Sequence, residues 1–188
     1  MKYISKILLV SMFSFFVLFL SAQDDTNMNS RQKRKAEKEK QKKEKEEKDA
    51  ADWLIYQQLA ANGTFVIQFD RIVNTPVSKR LNFMYINGDR VVLQYVTNSY
   101  WSENGLGGTT YDGTINNYKY IPSKKKNKPI YITFDMTSKF NQQQLNVSIT
   151  IYGGGAAQIS LGGGSAYVYG TITHIEDANI NMGNDMRN

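Results

Sequence analysis

The chain predicts a mainly β fold, a single antiparallel β-sandwich or barrel-like meander of about eight strands preceded by a charged N-terminal helix. Three observations carry this. Residues 129–136 and 145–152 form two strictly alternating runs separated by a polar stretch without proline. Similar short runs recur at even spacing with Gly-rich turns between them. A long segment before them is almost all charge.

In the second run Leu145, Val147, Ile149 and Ile151 alternate with Asn146, Ser148, Thr150 and Tyr152. The first run does the same with Ile130, Ile132, Phe134 and Met136. A period of two puts one face in a core and the other in water, and the pair reads as an antiparallel hairpin. Burial of each apolar side chain contributes about 1.5 to 3 kcal/mol, so this face is core and not a site. The wet face is too plain to suggest chemistry.

The other strands are expected at 64–70, 80–86, 90–96, 110–121, 156–161 and 166–173. Asn87-Gly88 between two of them is a strong hairpin signal, since both residues accept the positive φ of a tight primed turn. Pro76 marks the loop before that hairpin. Gly153-Gly154-Gly155 and Gly162-Gly163-Gly164 lack the Lys-Ser/Thr that completes a phosphate loop, and they read as turns between strands.

Four segments follow from composition. Residues 1–22 have the three parts of a secretory signal: Lys2 and Lys6, the apolar run Ile7 to Leu20, and a small residue, Ala22, before the expected cut. The run is shorter than the twenty or so residues of a spanning helix, which favours cleavage over anchoring. Residues 23–48 form a charged linker and helix, 49–174 a β-rich domain, and 175–188 a polar tail. With no cysteine the chain has neither disulfide staple nor lipidated cysteine. A periplasmic or extracellular, non-lipidated protein is expected.

From Arg31 to Lys48 the basic residues are Arg31, Lys33, Arg34, Lys35, Lys38, Lys40, Lys42, Lys43, Lys45 and Lys48, against Glu37, Glu39, Glu44, Glu46 and Glu47. This segment holds nearly all of the chain's formal charge of +6. Opposite charges four apart, as in Lys33 with Glu37, support a helix by about 0.2 to 0.5 kcal/mol per pair. Without an apolar stripe the helix is solvated. It serves as a spacer or as a contact for an anionic envelope surface. Nucleic acid is not expected, because the basic residues are not interleaved with aromatics. A greasy side begins at Trp53, Leu54, Tyr56 and Leu59, which should dock on the sheet before Asn62-Gly63 stops the helix.

The catalytic inventory is thin. Absence of cysteine excludes thiol nucleophiles and thiolate metal sites. His174, the one histidine, stands beside Glu176 and Asp177 and reads as a solvated residue. No G-x-S-x-G turn presents a serine. Carboxylates for glycoside chemistry could come from Asp70, Asp89, Glu103, Asp112 and Asp135, if two of them meet at the separation such chemistry needs. No cofactor or metal is implied.

The most distinctive stretch is Asn98 to Asp112, which combines Tyr100, Trp101 and Tyr111 with Gly105, Gly107, Gly108, Glu103 and Asp112. Flat amphipathic rings beside acids suit a sugar, a small amphiphile or a protein partner. Tyr100, Trp101, Glu103, Tyr111 and Asp112 are therefore the candidate binding residues.

The order of these parts resembles the exported bacterial domain-of-unknown-function family 4251. The resemblance runs from the charged helix through Asn62-Gly63-Thr64-Phe65-Val66, the Ile86-Asn87-Gly88-Asp89 turn and the glycine loop into Tyr111-Asp112-Gly113. It continues through Lys124-Lys125-Lys126 and the alternating hairpin to Tyr169-Gly170-Thr171-Ile172. It implies export by Gram-negative bacteria and carries no assigned activity or catalytic residues. An envelope module with a binding or structural role is the expected function. A carboxylate-dependent hydrolase of envelope glycans and a small outer-membrane β-barrel are the alternatives.

Overall fold

Residues 30–62 form one helix, α1 (Ser30–Asn62), because Lys, Glu, Gln and Ala fill its interior without glycine or proline. Gly63 ends it at φ +62, a conformation open to glycine without a Cβ penalty. The computed structural model describes residues 30–96, 105–122, 128–139, 142–164 and 167–183. The chain divides into two units, Met1–Glu46 and Glu47–Asn188. Of the first, residues 30–46 are described, helical and exposed throughout. The signal segment expected at 1–22 lies outside the described residues.

In the second unit nine strands follow: β1 (Thr64–Ile72), β2 (Thr75–Pro76), β3 (Phe83–Asn87), β4 (Arg90–Val96), β5 (Gly108–Ile121), β6 (Ile130–Ser138), β7 (Gln144–Ile151), β8 (Ala156–Leu161) and β9 (Tyr167–Thr173). Every pairing is antiparallel, in the order β1-β3-β4-β5-β6-β7-β8-β9, and β9 returns to pair with β1. Eight strands thus close a barrel, and β2 adds two residues beside the end of β1. Closure resolves the choice between sandwich and barrel that alternation leaves open. The closing seam needs a glycine: a Cβ on Gly170 would stand 2.3 Å from the carbonyl oxygen of Gln68.

The alternating hairpin is β6 and β7, paired in register from Ile130↔Ile151 to Thr137↔Gln144. Its inward residues Ile130, Ile132, Phe134, Val147, Ile149 and Ile151 are all buried, in one core with Phe65, Ile67 and Phe69 of β1. Its outward residues include Thr133, Asp135, Asn146 and Ser148. A membrane-spanning barrel is apolar outside. On β6 and β7 the inside is apolar and most of the outward row is polar, the reverse of that pattern.

Three local readings change. Strand β3 starts at Phe83, not Arg80, because residues 78–82 turn tightly and the buried Asn82 side chain takes part in the ladder, its Oδ1 accepting from Val96 N at 2.7 Å. In the β3–β4 hairpin Asn87 pairs with Arg90, so the two turn residues are Gly88 and Asp89. Gly88 alone has positive φ, the pattern of a II′ turn.

The third change concerns the tail. Its described part, through residue 183, crosses the outside of β1, β3 and β4, with Ile175, Ala178 and Ile180 packed on Val66, Phe83 and Val92. Beneath it Gln94 is fully buried and fully engaged. Its Nε2 donates to the carbonyls of Leu81 and Asn181 at 2.9 and 2.8 Å, and its Oε1 accepts from Thr110 Oγ1 and Gly183 N at 2.9 and 2.8 Å. A polar composition hides this strap, since only three apolar residues anchor it.

Candidate binding site at the barrel mouth

The two ends of the barrel are built differently. At the end where β1 begins, the last turns of α1 join the core through Trp53, Tyr56, Leu59 and Ala60. Tyr118 Oη donates to the carbonyl of Ala60. Burial and the neighbouring Tyr120 raise the Tyr118 pKa far above the ordinary tyrosine value, so the phenol stays neutral. The ring of Tyr56 lies where a Cβ on Gly155 would be, 2.8 Å from Cζ. Trp53 is buried, and its Nε1 has no hydrogen-bond partner among the described residues.

At the opposite end β1, β4, β6 and β8 finish and β3, β5, β7 and β9 begin. A cleft of about 230 Å³ opens there, lined by Leu93 and Tyr95 of β4, Tyr111 of β5, Met136 and Ser138 of β6, Leu145 of β7, Leu161 of β8, and Gln143. Leu93 pairs with Tyr111, which brings Tyr95 and Tyr111 diagonally together on the inner face. Their ring centroids are 6.0 Å apart and their hydroxyls 3.5 Å apart. The cleft is apolar in its walls, with tyrosine, serine and glutamine supplying the polar atoms.

A second cleft of about 560 Å³ lies at the same end, between the β1–β2 turn and residues 77–82. Val73 holds this turn at φ +55, strained for a β-branched residue, with its N–H donating to the Tyr167 carbonyl at 2.9 Å.

Of the candidate residues, Tyr111 lines the first cleft. Asp112, next along β5, does not line it: its carboxylate bonds Arg90 Nη2 and Lys139 Nζ, each at 3.0 Å. Burial pushes the Asp112 pKa up, but hydrogen bonds and charge from Arg90 and Lys139 outweigh this and hold it below the ordinary value. Tyr100, Trp101 and Glu103 lie outside the described residues. The described residues stop at Val96, the end of β4, and resume at Gly105.

The carboxylates for hydrolysis do not converge among the described residues. Asp135 is half-buried and accepts from Asn117 at 2.8 Å and Asn146 at 3.0 Å, bonds that lower its pKa. In register it lies four residues along the sheet from Asp112, roughly 13 Å at 3.3 Å per residue. That exceeds the roughly 5 to 9.5 Å of glycosidase pairs. Asp70 faces Lys79 at 3.8 Å, and Asp89 sits in the β3–β4 turn. His174 Nδ1 accepts from the Glu176 backbone at 3.3 Å.

Sequence reasoning missed Leu93, Tyr95, Met136, Ser138, Gln143, Leu145 and Leu161 as one group. Alternation marks most of them as inward, but it cannot say which strand ends gather at one mouth.

The model of a family described as a domain of unknown function, DUF4251, matches residues 42–163. The chain belongs to this family. A crystal structure of a DUF4251 family protein from Bacteroides eggerthii DSM 20697 has a similar fold, with a TM-score of 0.52 at 21% identity over 69% of this chain and 92% of that one. No curated protein matches the chain.

Proposed function

We propose that this DUF4251 protein is an exported, non-catalytic module of the cell envelope whose barrel mouth receives the apolar part of a small amphiphile. The observation that carries the reading is the cleft, where Leu93, Met136, Leu145 and Leu161 form the walls and the Tyr95–Tyr111 pair sets two hydroxyls at the rim. Apolar walls with a few placed polar groups are the usual make-up of a small-molecule site. At about 230 Å³ the space is smaller than the roughly 300 Å³ at which drug-sized pockets begin, which suits a short chain or a single ring. Export rests on the leader composition: Lys2 and Lys6, the run Ile7 to Leu20, and Ala22.

Calorimetric titration with alkyl glucosides of increasing chain length tests the site. Affinity should rise with chain length to a plateau, and Leu161→Trp, which fills the cleft, should weaken it at least tenfold. Chain-length-independent binding, or full affinity in Leu161→Trp, contradicts the reading. Export predicts that protein recovered from the envelope or medium begins at Gln23; protein retaining Met1 in the cytosol contradicts it.

A further inference from the structure

The charge on α1 is sided. At 3.6 residues per turn, Arg31, Arg34, Lys35, Lys38, Lys42 and Lys45 fall within an arc of about 100°, and no other residue of 30–46 shares it. The acids Glu37, Glu39, Glu44 and Glu46 all fall outside that arc, intermixed with Lys33, Lys40 and Lys43. Counted along the chain the segment is a mixture of both signs. Folded as a helix, it carries a stripe of six cations about 21 Å long beside a face of mixed charge. All of these residues are exposed, and of the six Lys42 alone has a described carboxylate neighbour, Glu46 at 3.9 Å. The stripe contains no apolar side chain, so it has nothing to insert.

We infer that this stripe is a docking face for an anionic lipid bilayer, bound through headgroup charge without insertion. The geometry selects a planar polyanion. A plane touches one side of a helix, and here one side alone is uniformly basic. A helix lying in the major groove of DNA, about 12 Å wide, has phosphates on both flanks. Glu37, Glu39, Glu44 and Glu46 would then approach the second strand. The stripe also offers neither Asn nor an aromatic residue to a base edge. Each basic side chain near an anionic surface raises partitioning about fivefold, and the attraction decays within a Debye length of roughly 8 to 10 Å. Binding by the stripe is therefore additive in its residues and sensitive to salt.

The test separates sidedness from net charge. The full chain is sedimented at low salt with phosphatidylglycerol-containing vesicles and with pure phosphatidylcholine vesicles, and the ratio of the two partition coefficients is read, which cancels any contribution of the apolar leader. Two triple variants lose the same three charges: Arg34→Gln with Lys38→Gln and Lys45→Gln on the stripe, and Lys33→Gln with Lys40→Gln and Lys43→Gln off it. Glutamine keeps helix propensity, and far-ultraviolet circular dichroism checks that both variants retain the helix. The stripe variant should lose roughly a hundredfold in the ratio, and the other variant less than tenfold. Raising the salt to several times physiological strength should abolish the wild-type preference. Equal losses in the two variants, a wild-type ratio near one, or tighter binding to duplex DNA than to vesicles at equal phosphate would each overturn the inference.

Discussion

The two ends of the barrel are made by the same alternation and finish differently. Where β1 begins, the inward row of each strand runs into Trp53, Leu59 and Ala60 of α1, and the core is completed by the chain itself. Where β1 ends, the inward rows finish around Leu93, Tyr95, Met136, Ser138, Leu145 and Leu161 and leave a cleft. The closed end has satisfied its apolar surface. The mouth retains some, and that is where burying a ligand still yields free energy. The proposed binding thus falls at the end of the core opposite to the one α1 closes.

Truncating one large side chain at each end separates the two roles. Trp53→Ala should destabilise the protein by about 3 to 5 kcal/mol in urea unfolding, because a buried indole leaves a cavity. Tyr111→Ala, half-buried at the mouth, should cost about 1 kcal/mol yet weaken amphiphile binding strongly. Equal stability losses would show that the mouth is as structural as the closed end.

A smaller effect belongs to the outer face of β5. Asp112→Asn should cost about 1 to 2 kcal/mol near neutral pH, since Arg90 and Lys139 lose their carboxylate while keeping access to water. The folded-state pKa of Asp112 is depressed, so its contribution is present above the ordinary aspartate value near 3.9 and disappears as pH falls through the folded value. Stability measured from pH 7 to pH 2 should therefore fall less in the variant than in the wild type. Unchanged amphiphile binding in Asp112→Asn would agree with its place outside the cleft.

The smallest effect sharpens the closed end. Tyr118→Phe removes the bond to Ala60 and should cost about 1 kcal/mol. In the folded protein Tyr118 is held protonated, whereas an unfolded tyrosine ionises near 10. Its contribution is complete below that pH and is lost as pH rises above it. Wild-type stability should drop more steeply than that of Tyr118→Phe between pH 10 and 12.

Much of this fold was legible in the chain. The eight barrel strands follow from a period of two, and the β6–β7 register from matching Ile130–Met136 to Leu145–Ile151. Closure was not legible, because the β1–β9 pairing joins residues about a hundred positions apart and is favoured by no local signal. Alternation puts Val92 and Gln94 on the outer face, and nothing along β4 announces that residues 175–183 will cover them. At the site, Tyr111 was found through its aromatic and glycine neighbours. Leu93, Leu145 and Leu161 are ordinary inward leucines by pattern, and only their place near the strand ends that gather at the mouth sets them apart. Asp112 attracted attention as an acid beside aromatics, but alternation already places it on the opposite face from Tyr111.

Mapping where a ligand binds tests the role of the mouth most directly. Backbone amide resonances of the protein are followed by nuclear magnetic resonance while a short-chain alkyl glucoside is added. Saturable shifts are expected at Leu93, Tyr95, Tyr111, Leu145 and Leu161, with Trp53, Leu59 and Ala60 unmoved. Shifts centred on Trp53 and Ala60, or saturation with no change at the mouth, would contradict it.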